Sequence, residues 1–101
     1  MNLPKVSVII PTYGREELLR NSLLDVMNND YPDLEILVVD QTKNHEPETQ
    51  EYLEKLSQSG KISWCQLEWA SLPGARNYGV RRATGEIVIF IDDDVTLETS
   101  F

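Results

Sequence analysis

Four short apolar runs recur along this chain, with room for one helix between each pair. They cover residues 5–10, 34–39, 61–67 and 86–91. The last is the plainest: Ile87, Val88, Ile89, Phe90 and Ile91 follow one another without a polar break. Such a run predicts a strand covered on both faces, as in a parallel sheet. The intervening segments have a different period. Leu19, Leu23 and Met27 form one stripe within residues 15–27, with Leu18 and Val26 beside it. That is the spacing of a helix packed on a sheet. Tyr52, Leu53 and Leu56 give residues 48–57 an apolar side, and Gly60 supplies a helix stop. Residues 73–83 predict a third helix, whose first turn suits Pro73. Ala75, Gly79 and Ala83 fall at four-residue steps and let that helix lie close to a sheet. Regular alternation of strand and helix predicts an α/β three-layer sandwich: a mainly parallel sheet, right-handed crossovers and helices on both faces.

With 101 residues the chain makes one small domain with a modest core. Its 17 acids against 9 bases give a net charge of -8. That argues against nucleic acid as a partner, because binding a phosphate backbone rests on Lys and Arg. An acidic balance does accommodate a bound divalent cation. The single cysteine, Cys65, excludes an intrachain disulfide and is expected in the core. One His and one Cys also exclude a Cys/His zinc site. No cationic start leads into an apolar region, and no apolar run approaches the ~20 residues of a membrane span. The simplest localisation is cytoplasmic; attachment to the cytoplasmic face of a membrane is left to regions outside this chain.

The polar chemistry follows the strands. Pro11 is expected to stop the first strand and open a loop through Thr12, Tyr13 and Gly14 to Arg15. The second strand ends on Asp40. The fourth runs into Asp92, Asp93 and Asp94. In a parallel sheet these three segments share one edge, beyond the carboxyl ends of the strands, where ligands bind. On an extended chain Asp92 and Asp94 point to one side and Asp93 to the other. Two carboxylates on one side suit a hard cation, Mg²⁺ or Mn²⁺; a solvated acidic turn is the plainer alternative. Asp40 is either a turn or cap residue or an acceptor for a ligand N–H. Tyr13 is either core or a stacking platform. Thr12 and Arg15 lie near a helix N-terminus, a place suited to anions. Arg76, near the start of the third helix, either reaches the strand-end crevice or forms a surface ion pair. His45 is expected to be solvated in a polar loop, and Trp64 and Trp69 to pack at the core or its edge.

With these residues in view, the sequence resembles the N-terminal part of family 2 glycosyltransferases, which have the GT-A fold. The resemblance lies in Val6 to Tyr13, Tyr31 to Asp40, Gly74 to Gly79 and Thr84 to Asp94, in the family's order and spacing. It implies the Rossmann-like, nucleotide-sugar-binding half of that fold, with the first and fourth strands side by side. Pro11, Thr12, Tyr13 and Asp40 would hold the uridine of a UDP-sugar. Asp92, Asp93 and Asp94 match the D-x-D motif: Asp94 would bind the metal that bridges the donor diphosphate, and Asp92 or Asp93 would face the ribose or the same metal. The implied reaction is transfer of a sugar from a nucleoside diphosphate to an acceptor hydroxyl with inversion.

Two segments depart from the pattern. Gly14 stands where Asn is frequent, and Gln41-Thr42 stands where the family often has Asp-Gly-Ser. The family domain continues well past its D-x-D motif, so a truncated domain is expected, with the catalytic base beyond Phe101 and the acceptor unspecified. Such a fragment is expected to bind donor without turning it over, and to be marginal or self-associating through an exposed sheet edge. The alternatives are a non-catalytic α/β nucleotide- or metal-binding module, or an inactive remnant. A sugar-phosphate nucleotidyltransferase would carry a Gly-rich loop after the first strand. A phospho-acceptor receiver would carry paired acids there.

Overall fold

The computed structural model describes residues 3–14, 16–68 and 72–91. In chain order the elements are β1 (Val6–Thr12), α1 (Glu16–Met27), β2 (Leu34–Asp40), α2 (Pro47–Gln58), β3 (Ser63–Gln66), α3 (Leu72–Arg82) and β4 (Ile87–Phe90). The strands form one sheet in the order β3-β2-β1-β4, and every neighbouring pair is parallel. Strand order therefore reverses at β1, which has β2 on one side and β4 on the other.

Alternation along the strands sorts side chains between two faces. Val6, Val8 and Ile10 of β1 and Ile36 and Val38 of β2 pack against Leu19, Leu23 and Val26 of α1 and Leu53 and Leu56 of α2. Ile9, Leu37 and Val39 face the other way and meet Ala75, Tyr78 and Ala83 on the α3 side. The three layers are thus α1 and α2, the sheet, and α3. Fully burying an Ile, Leu or Val stabilises the fold by about 1.5–3 kcal/mol, and Ile9, Ile10, Leu19, Leu23, Val38, Val39 and Leu53 are all completely covered. The small-residue stripe of α3 works as expected. Ala75 is fully buried, and a Cβ built on Gly79 would lie 2.5 Å from Cγ2 of Ile9. At the end of α2, Gly60 has φ +78°. Its N–H donates to the Ser57 carbonyl, and the Lys61 N–H donates to the Leu56 carbonyl, both at the distances of a Schellman stop.

Four local expectations need correction. Pro11 does not end β1, which runs to Thr12 and pairs Pro11 with Val39. The carbonyl of Thr12 accepts the Gln41 N–H on the β2 side, while that of Ile9 accepts the Ile91 N–H on the β4 side. Alternation therefore turns the nitrogen of Pro11 toward β4, beyond the last paired residues Ile9 and Phe90. A missing N–H is tolerated at that position. Next, β4 is not covered on both faces. It forms one side of the sheet, and Ile87 and Phe90 are 45% and 40% exposed. β3 is shorter than expected, four residues with both ends exposed, because it is the opposite outer strand. On α1, Leu18 is 44% exposed; the buried face is Leu19, Ser22, Leu23 and Val26, one position around the helix from it.

At the amino-terminal edge of the sheet a polar clamp ties three segments together. The Ser7 hydroxyl donates to Glu35 Oε1 at 2.7 Å and accepts the Gly85 N–H at 2.9 Å. Glu35 also accepts the Thr84 N–H at 2.9 Å and the Thr84 hydroxyl at 3.0 Å. Burial alone would raise the Glu35 pKa, but these donors, with Lys5 nearby, hold it below its ordinary value. A lowered carboxylate pKa contributes stability that is present above the unfolded value of 4.5 and is lost as pH falls through the folded one. Urea denaturation of Glu35→Gln across that acid range should show a flatter acid limb than the parent. Superimposable limbs would mean that the clamp does not discriminate between charge states.

Candidate functional site

Register decides what meets at the carboxyl edge of the sheet. Thr12 lies opposite Asp40, and Asp40 opposite Gln66. On the other side, the Ile91 N–H donates to the Ile9 carbonyl at 2.9 Å. The described chain thus reaches Ile91 toward the same edge as Thr12 and Asp40, beside β1, at the point where strand order reverses. Asp92, Asp93, Asp94, Arg15 and Trp69 lie outside the described residues, and so does any geometry of the expected metal corner. Among the described residues no group of three His, Cys, Asp or Glu is arranged to hold a metal ion. The donor set that remains, Asp92 and Asp94, is all carboxylate oxygen and in that respect suits Mg²⁺ or Mn²⁺.

The turn after β1 sits at this edge. Pro11 and Thr12 are buried, whereas Tyr13 is 61% exposed and open to a planar partner. Gly14 adopts φ +67°, a left-handed conformation that its lack of a side chain permits. Its N–H donates to the Thr42 hydroxyl at 2.7 Å, tying the β1 turn to the β2 turn. Arg76, on α3, is half-buried, with its guanidinium carbon 5.4 Å from the centre of the Phe90 ring. It therefore stands over Phe90, at the end of β4.

Asp40 occupies an unexpected position. It is fully buried, with no face open to solvent. Its Oδ1 accepts the Thr42 N–H at 2.9 Å, a local turn bond of the kind expected of an Asp after a strand. Its Oδ2 accepts the Trp64 Nε1–H at 2.8 Å and pairs with Nε2 of His45. The carboxylate is a hub for protein groups from the β2 turn, β3 and the His45 loop.

His45 is the residue that sequence reasoning missed. Its side chain is 2% exposed, not solvated. Nε2 faces Asp40, and Nδ1 lies 2.6 Å from Glu16 Oε2 in the first turn of α1. The other Glu16 oxygen accepts the Glu46 N–H at 2.6 Å, fixing the residue before α2. The Trp64 ring lies 6.3 Å away, tilted at 54°. Burial by itself would lower the His45 pKa; the two carboxylates outweigh it and raise the pKa above 6.5. The loop carrying His45 is polar and has no periodicity. The one hint in the sequence is that an acid at a strand end and an acid in the first turn of the preceding helix share the edge to which the only histidine returns.

Residues 7–101 match the model of glycosyl transferase family 2. This chain belongs to that family. It is 36% identical over 95 residues to the GalNAc(5)-diNAcBac-PP-undecaprenol beta-1,3-glucosyltransferase of Campylobacter jejuni, covering 91% of this chain and 30% of that protein. The crystal structure of Staphylococcus aureus TarS 1-349 in complex with UDP-GlcNAc superposes with a TM-score of 0.76 at 33% identity, covering 89% of this chain and 26% of the other. A mannosyltransferase from Pyrobaculum calidifontis in complex with GDP-Man and Mn²⁺ gives 0.75 at 30% identity, with coverages of 92% and 28%. The family member described here thus spans less than a third of the length of each of these relatives. Its sheet is that of the GT-A fold, with β1 and β4 adjacent as the family resemblance implied.

Proposed function

We propose that this chain is the donor-binding part of a glycosyltransferase that moves a sugar from a nucleoside diphosphate, UDP by preference, to an acceptor hydroxyl with inversion. The observation that carries the reading is the meeting of the β1 turn, the β2 end and the approach to Asp92 at one sheet edge, at the reversal of strand order. On this reading Tyr13 stacks on the base, and Pro11 and Thr12 shape the turn beneath it. Arg15 and Arg76 face the diphosphate. Asp92 and Asp93 face the ribose, and Asp92 and Asp94 hold Mn²⁺ or Mg²⁺. The metal, when bound, neutralises the charge that develops on the departing diphosphate. A carboxylate accepts the proton of the acceptor hydroxyl, and a cytoplasmic address suits a UDP-sugar donor. Support for the donor class comes from the relatives, one bound to UDP-GlcNAc and one to GDP-Man with Mn²⁺.

Calorimetric titration with UDP and with GDP, each with and without Mn²⁺, tests the proposal. UDP should bind in the presence of metal, and Asp94→Ala should abolish the metal-dependent part. Failure of both nucleotides to bind a demonstrably folded sample would refute the donor site, and tighter binding of GDP would reassign the base.

A further inference from the structure

Four hydrogen bonds in series, closed into a ring by the backbone between Gly14 and Glu16, hold the end of the β1 turn. Glu16, two residues after Gly14, meets Nδ1 of His45, and Nε2 of His45 meets Asp40. Asp40 accepts the Thr42 N–H, and the Thr42 hydroxyl accepts the N–H of Gly14. The series begins at Glu16 and ends at Gly14, on either side of residue 15, so it fixes Gly14, the residue after Tyr13, against the β2 turn. We propose that His45 is a positioning residue for nucleotide binding: as an imidazolium it closes this ring and holds the Tyr13 turn in the conformation that receives the base. The inference rests on the donor-site reading above.

The geometry requires the proton. Both ring nitrogens face carboxylate oxygens, and only the protonated ring has two N–H donors. When the proton leaves, one nitrogen presents a lone pair to a carboxylate, and that link of the ring opens. Among the described residues the charged groups facing the ring are Glu16 from α1 and Asp40 from β2; β3 contributes the uncharged Trp64 indole. Nucleotide affinity should therefore be greatest while His45 is protonated, and should fall as pH rises through its folded pKa. One unit above that pKa the closed ring is populated about a tenth of the time, so the apparent Kd rises about tenfold.

His45 is the sole histidine, so its ring protons can be followed by NMR without assignment by mutation. The test measures that titration and, in parallel, UDP affinity with saturating Mg²⁺ between about pH 6 and about pH 9. The same series on His45→Gln separates the titration of UDP itself from that of the protein. The expected result is a histidine that titrates above its ordinary value, with UDP affinity falling over the same interval in the parent and not in His45→Gln. UDP binding that ignores the His45 titration overturns this inference and leaves the donor site standing. Absence of UDP binding at every pH removes the donor site and this inference with it. If His45→Gln fails to fold, the coincidence or mismatch of the two curves in the parent still decides.

Discussion

Replacing Asp40 with Ala should cost about 3–5 kcal/mol of folding free energy, the range for removing one partner of a buried ion pair. The substitution leaves the half-buried Trp64 Nε1–H and the Thr42 N–H without their acceptor, and leaves His45 with one carboxylate instead of two. A domain's total stability is only about 5–15 kcal/mol, so much of the protein should be unfolded at midrange urea concentrations that the parent survives. The loss has a pH signature. His45 has a raised pKa, so the stability it contributes is fully present below 6.5 and disappears as pH rises through the folded value. The gap between Asp40→Ala and the parent should therefore be widest in mild acid and should narrow in mild alkali. Asp40→Asn should fall between them, because its carboxamide oxygen still accepts the Thr42 N–H but carries no charge for His45. A difference below about 1 kcal/mol for Asp40→Ala, the scale of an ordinary surface change, would show that the hub carries little.

Gly85→Ala should cost about 3 kcal/mol, the upper end for overpacking a close contact. A Cβ there would lie 2.6 Å from the Ser7 hydroxyl, 2.7 Å from the Ser7 nitrogen and 2.8 Å from the Lys5 carbonyl. Two of these are backbone atoms, which cannot rotate aside. The same Lys5 carbonyl accepts the Glu86 and Ile87 N–H groups at 2.8 and 3.2 Å. Relief of the clash therefore pulls the start of β4 away from β1. Gly60→Ala is the control: there the space is open and only the left-handed backbone resists, at about 1–2 kcal/mol. Denaturant midpoints should rank Gly85→Ala well below Gly60→Ala; equal midpoints would mean that β4 shifts without penalty.

Much of the fold was legible because it depends on periodicity. The strand-helix alternation specified a parallel sheet, and with it the edge at which Thr12 and Asp40 meet. The small steps of α3 announced its close approach to Ile9, and Gly60 marked the end of α2. The errors came where solvent exposure depends on a neighbour. An unbroken apolar run in β4 looks the same whether the strand lies inside the sheet or at its side. Leu18 belongs to the apolar stripe by spacing but falls just outside the contact with the sheet. Pro11 looks like a strand stop until the alternation of β1 turns its nitrogen away from β2.

By itself, the sequence determined the layers, the strand-end edge and the places of Asp40 at the end of β2 and Glu16 in the first turn of α1, because hydrophobic period and crossover handedness leave few other arrangements. Only the tertiary structure decided what those acids do inside the protein. Asp40 became a buried hub, and His45 a doubly bonded ring, because a polar loop with no period folded back across the sheet edge to meet the first turn of α1. No local spacing encodes a contact between residues 16, 40 and 45; it exists because β2 lies beside β1 and carries its loop to the same end.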